Sequence, residues 1–143
     1  MPAGSASSDM GDVAGTRRKP WKLVGTDGAT AFSAWRDPAA RQPALVVKAG
    51  EAEVRYNLRC LHDLHELLLE RGDWMPLAAA PEKGKPPAGS VEAWARSESN
   101  PVQGWYGLTK GQRGSFALYV PAVMAALDLA EVETGANARM KAK

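Results

Sequence analysis

The chain has 143 residues, 45% of them hydrophobic and 24% charged, with a net charge of +2. This suits one domain with a core of its own, and it lacks the strong basic field of a dedicated nucleic-acid binder. The single cysteine, Cys60, excludes an internal disulfide and a multi-cysteine zinc site.

Met1–Thr16 is Gly, Ala, Ser and Asp, without the apolar stretch of a signal peptide. Nothing approaches the ~18 consecutive apolar residues of a membrane span. The expected setting is therefore the cytoplasm, with no membrane partner. Met1–Lys19 is too polar to offset its ordering entropy and is expected to be disordered, its Arg17-Arg18-Lys19 end a solvated flank. Residues 20–143 are expected to form a single α+β domain.

Trp21–Val24 reads as a short strand, and Asp27-Gly28 as a turn. Ala31–Arg36 follows, broken by Asp37-Pro38. Ala44–Ala49 is β-branched and apolar, a second strand. After Gly50, Glu51–Tyr56 alternates, with Ala52, Val54 and Tyr56 on one face. That period of two predicts a half-buried strand paired with its predecessor in a hairpin. Asn57 is a suitable N-cap for a helix over Leu58–Arg71, stopped by Gly72. Cys60, Leu61, Leu64, Leu67 and Leu68 share its apolar face, and Arg59, Asp63, Glu66 and Glu70 the opposite one. This helix is expected to cover the sheet.

Pro81–Gly89 reads as an exposed loop. Ser90 predicts the cap of a short helix near Val91–Ser97, ended by Asn100-Pro101. Beyond it, two readings compete. Thr109 and Gln112 have capping-box spacing, and Phe116, Val120, Val123 and Leu127 share one side, which predicts a helix over Lys110–Asp128 kinked at Pro121. The rival is an extended Ser115–Val120 with a helix starting at Pro121, favoured by Gly111 and Gly114. The balance tips slightly to the kinked helix. Leu129–Glu133 reads as a strand, and Arg139–Lys143 either returns as its partner or trails off as a basic tail. The fold class is thus α+β: a small antiparallel sheet covered by a helix, then a mainly helical C-terminal region that ends either in this hairpin or in the basic tail.

Several segments together resemble a family of small uncharacterised bacterial proteins, a domain of unknown function. They are Asp63-Leu64-His65 with Gly72-Asp73-Trp74, Val91–Arg96, Asn100-Pro101-Val102, Gly104–Leu108, Lys110-Gly111 with Arg113-Gly114, and Tyr119-Val120-Pro121. The resemblance spans roughly Trp21 to Met140. It implies one domain in a cytoplasmic setting, and it carries over no activity or functional residue.

The chemistry-bearing residues are sparse. His62 and His65 are helical neighbours, but the nearest carboxylates, Asp63 and Glu66, turn to the other side, so structural histidines are favoured over a metal site. Cys60 lies on the apolar face and reads as inert core. No nucleophile elbow and no phosphate loop is present. No catalytic residue, metal or cofactor is therefore assigned, and an enzyme ranks behind a binding protein.

The best small-site candidate is the expected helix start at Lys110, Gln112 and Arg113, where backbone N–H groups attract anions. With Trp105 and Tyr106 exposed beside Arg113, this would be a surface for a protein partner. The first reading is a non-enzymatic binding or adaptor module acting through Trp105–Arg113. The alternative is a nucleic-acid-binding protein with a winged-helix-like C-terminal half, using Lys110, Arg113, Arg139, Lys141 and Lys143.

Overall fold

A computed structural model of the protein describes residues 14–143. The expected N-terminal disorder therefore falls mostly on residues outside this range. From residue 14 onward the chain is tied down: the Gly15 carbonyl accepts from Arg36 N–H at 2.9 Å, and Gly15 N–H donates to Lys19 at 2.8 Å.

Four strands form the first sheet in chain order, all antiparallel: β1 (Trp21–Val24), β2 (Ala31–Asp37), β3 (Ala44–Ala49) and β4 (Ala52–Asn57). The β3–β4 hairpin turns at Gly50, whose φ of 61° lies in the left-handed region glycine tolerates. Alternation sends Phe32, Ala34, Leu45, Val47, Val54 and Tyr56 into the core. On the other face Trp35, Ala44 and Val46 make a small second cluster with Leu108. The free edge of β4 is covered by residues 106–108: Asn57 N–H donates to the Tyr106 carbonyl and Leu108 N–H to that of Arg55, both at 2.8 Å. Covering the edge in this way blocks edge-to-edge pairing.

Helix α1 (Cys60–Arg71) ends at Gly72 with φ 69°, as its sequence predicts. It packs on the last strand, not as the sole cover of the first sheet. That cover comes largely from α3 (Phe116–Ala126), whose Phe116 and Tyr119 meet Tyr56 and Phe32 edge-on at centroid distances of 5.5 and 5.0 Å. Three short strands, β5 (Met75–Pro76), β6 (Ala130–Glu133) and β7 (Arg139–Ala142), form a second antiparallel sheet in the order β5-β7-β6. The terminal hairpin is thus present, with an edge strand added that the sequence reading lacked. Helix α3 lies between β1 and β6 and links the two sheets.

The C-terminal region is not mainly helical. Helix α2 (Val91–Trp94) is one turn, capped as expected by Ser90, whose hydroxyl oxygen accepts from Ala93 N–H at 3.2 Å. Residues 98–115 are turns and loops, and Gln112 N–H closes a turn on Thr109 in place of a capping box. Neither reading of residues 110–128 is met in full: the helix begins at Phe116 and carries Pro121 inside it. Glycines at 111 and 114, with φ 85° and 56°, keep the preceding residues out of it.

Candidate functional site

The five residues proposed for the first surface do not share one environment. Tyr106 is fully buried, not exposed, and its ring packs on Trp94 and Phe116. Its hydroxyl donates to Asp63 Oδ2 at 2.8 Å, where burial first, and this bond second, push the phenol well above its usual pKa. Trp105 is half-buried, with the guanidinium groups of Arg96 and Arg113 over its ring at 4.7 and 4.5 Å. Lys110 and Gln112 are exposed. Arg113 is held on several sides: Nε donates to the Gly107 carbonyl, its own carbonyl accepts from the Tyr56 hydroxyl at 2.7 Å, and Nη1 lies 3.6 Å from Glu82.

The anion site expected at Lys110–Arg113 is a loop, not a helix start, and it already holds a carboxylate. Gly111 and Arg113 donate their backbone N–H groups to Glu82 Oε2 and Oε1, each at 2.9 Å. These two bonds, Arg113's first, hold the Glu82 carboxyl below its usual pKa.

The loop bearing Glu82 is fixed by a charge pair that sequence reasoning passed over. Glu92, 1% exposed, accepts from the Ser115 hydroxyl at 2.6 Å and from the N–H groups of Phe116 and Ala117 at 3.3 and 3.1 Å. The first turn of α3 is therefore capped by a carboxylate from α2, a placement its dipole favours. The other side of Glu92 meets Arg96 at 3.2 Å. Arg96 then donates to the carbonyls of Ala80, Pro81, Glu82 and Gly84. The i,i+4 spacing of Glu92 and Arg96 was visible in the sequence; its direction, toward the core, was not.

Asp63 is a correction of the same kind. It is buried, bonded by Arg59 and Tyr106, although helical periodicity places it on the polar face. His62 is exposed and lies 3.9 Å from Glu66, and His65 is half-buried. Cys60 is fully buried, and burial pushes its thiol far above the reactive range. Among the described residues, no group of three His, Cys, Asp or Glu side chains could hold a metal ion, and no helix is long and apolar enough to cross a membrane.

Three of the five basic residues of the alternative reading are paired at the second sheet, and Arg113 faces Glu82. Arg139 meets Glu133 at 2.7 Å, Lys141 meets Glu131 at 3.8 Å, and Lys143 meets Asp128. Helix α3, which would be the recognition helix, is Phe-Ala-Leu-Tyr-Val-Pro-Ala-Val-Met-Ala-Ala, without a Lys, Arg, Asn or Gln to read bases. With α2 only one turn long, the helix-turn-helix arrangement is not formed.

A second place gathers different residues. Two chain reversals, around Thr26-Asp27 and residues 135–139, and the β5 segment of residues 74–79 wall a cleft of about 560 Å³. Trp74 stands at it with Arg139 and Lys141 over its ring at 4.2 and 4.9 Å. Asp27 is pinned by Thr30 and Ala29, and the Thr30 bonds chiefly hold its carboxyl below the usual pKa. Ala78, also on the wall, has φ 50°, a left-handed conformation that costs an alanine about 1 kcal/mol or more. Hydrogen bonds on either side hold it there: Leu77 N–H to Ala138, and Ala80 N–H to Glu92 and Ser115. Nothing in the sequence flags Ala78, whereas Trp74 and Arg139 were noticed separately.

The architecture is mixed α+β, with two antiparallel sheets and three helices among the described residues. The chain belongs to DUF6855, a family of unknown function, whose model matches residues 13–143. No curated protein and no solved structure matches it.

Proposed function

We propose that the protein is a binding module, of the adaptor kind, and that it takes a short segment of a protein partner in the cleft beside Trp74. The observation that carries this reading is the cleft itself. Its volume, about 560 Å³, lies within the range of ligand sites, and its wall includes a strained alanine, which is a feature of functional sites. Trp and Arg are the side chains that most often dominate protein interfaces, and Trp74 and Arg139 are set together here. Arg139 and the half-buried Lys141, each already facing a β6 carboxylate at the rim, favour a segment with an apolar side chain for Trp74 and an acidic one beside it.

The Trp105–Arg113 segment is the less favoured surface, because its anion-binding N–H groups are filled by Glu82 and its Arg113 is held by the chain itself. The test is a peptide selection against the full chain, followed by amide chemical-shift mapping of the selected peptides. Shifts should centre on Trp74, Ala78, Asn137 and Arg139, and Trp74→Ala or Arg139→Ala should weaken binding at least about tenfold. Shifts centred on Trp105, Lys110 and Gln112 would move the site back to the first surface. Salt-sensitive DNA binding lost in Lys110→Ala would replace this reading with the nucleic-acid one.

A further inference from the structure

We infer that Asp27 selects the occupant of the cleft beside Trp74 by binding a lysine or arginine side chain of the segment lodged there. This role depends on the cleft being the binding site proposed above, and it narrows what the site accepts. Only two charged residues line the cleft, Asp27 and Arg139. Arg139 is balanced by Glu133 at 2.7 Å. Asp27 is not balanced: among the described residues, no basic side chain lies within ion-pair distance of it. The wall therefore carries one uncompensated charge, and it is negative.

The carboxylate is also held in position. Oδ1 accepts from the N–H groups of Ala29 and Thr30, each at 2.9 Å, and Oδ2 accepts from the Thr30 hydroxyl. An ionised carboxylate offers about four acceptor positions, so about one, on Oδ2, is left for a ligand. The turn that bears it is anchored at both sides. Gly25 N–H donates to the Thr30 carbonyl at 2.7 Å, and Thr26 donates to Leu118 of α3 while its carbonyl accepts from Gly135 at 2.9 Å. A charge already fixed loses little side-chain freedom on pairing. Asp27 is exposed, so a lysine or arginine can meet it with its charged end in water and its methylenes along the wall. Ala78, Ala79, Ala136 and Ala138 give that wall an apolar lining for the methylenes. With the preferences of Trp74 and Arg139, the segment is one that sets an apolar residue near both an acidic and a basic side chain.

The experiment is the random-peptide selection run twice, against the full chain and against Asp27→Asn. Asparagine keeps an Oδ1 acceptor for Ala29 and Thr30 and removes the charge; the Ala29 and Thr30 amide resonances check that the turn is retained. Should asparagine disturb them, the parent chain's own preference and its salt dependence decide. Peptides whose shifts centre on Trp74 and Arg139 should carry Lys or Arg at a constant spacing from their apolar residue. Replacing that Lys or Arg by norleucine should weaken binding to the parent about two- to fivefold, the range of exposed ion pairs, and binding to Asp27→Asn distinctly less. The effect on the parent should shrink at high salt. Cleft-bound peptides without a preferred Lys or Arg, or a norleucine effect equal in the two chains, would overturn the role of Asp27 and leave the cleft standing as a binding site. If no selected peptide shifts Trp74 and Arg139, the cleft reading itself fails, and this role with it.

Discussion

The Thr26 hydroxyl donates to the Ala117 carbonyl at 2.7 Å, one turn before Pro121 in α3. In an uninterrupted helix that carbonyl would receive the N–H of residue 121, which proline lacks. Thr26 also donates its backbone N–H to Leu118 at 3.0 Å, so the β1–β2 turn serves two carbonyls around the proline. Gly25 makes the approach feasible, since a Cβ there would stand 2.9 Å from Leu118 Cδ1. Thr26→Val keeps the shape and removes the donor, leaving a buried acceptor unmet, at an expected cost of about 1–3 kcal/mol. In a Pro121→Ala background the helix can supply its own N–H, and the same substitution should cost distinctly less. Urea unfolding of the four chains reads this coupling; equal costs in both backgrounds would sever Thr26 from Pro121.

Glu92 is the residue whose loss should be felt over the widest area. Glu92→Gln retains the volume but removes the charge facing Arg96 and replaces one of the two oxygens that accept at the start of α3 with an NH2 donor. About 3 kcal/mol of stability should go, the scale for breaking a buried pair on one side. Hydrogen exchange should quicken at Phe116 and Ala117, and also at residues 80–84. Faster exchange at α3 alone would mean that Arg96 holds the loop without Glu92.

The Glu82 carboxylate makes the loop at residues 111–113 pH-sensitive. Its pKa is lowered by the Arg113 and Gly111 N–H groups, so between the folded and unfolded values the unfolded chain binds more protons and stability rises with pH. The contribution is complete above the ordinary glutamate range and fades as pH falls through the lowered folded value. Amide exchange at Gly111 and Arg113 should accelerate over that acid window, and Glu82→Gln should remove the pH dependence there. An unchanged profile in Glu82→Gln would assign it to another carboxylate.

Tyr106→Phe isolates the third buried polar contact. It deletes the donor to Asp63 and leaves that carboxylate with Arg59, which should cost about 1.5–3 kcal/mol for a charge-assisted bond. The aromatic contacts with Trp94 and Phe116 remain. A thermal scan that matches the parent would show that Arg59 and water suffice for Asp63.

Strands β1, β3 and β4 and helix α1 were legible because each carries its own periodicity or punctuation, such as the alternation in β4 and the 3.6-residue stripe and Gly72 in α1, whereas β2 was left unassigned and the terminal hairpin was one of two readings. What was not legible depends on partners distant in sequence. Pro121 sits inside a helix because Thr26 is there to serve Ala117. Asp63 turns inward because the Tyr106 hydroxyl meets it. The anion-attracting quality of residues 110–113 was visible, but its occupant, Glu82, lies in a Pro- and Gly-rich loop without local pattern. Strand β5 is two residues long and exists by pairing with β7, which no window around Met75 could reveal.

Arg96 grips residues 80–84 entirely through main-chain oxygens. Such a grip is blind to side-chain identity: apart from Glu82, it asks only that the backbone follow its present path. The continuation of this loop through residues 85–88 is therefore the natural graft site of the molecule. A tag or epitope inserted after Lys85 would hang from a stretch whose near end is anchored by a residue outside it, leaving the Glu92 core undisturbed.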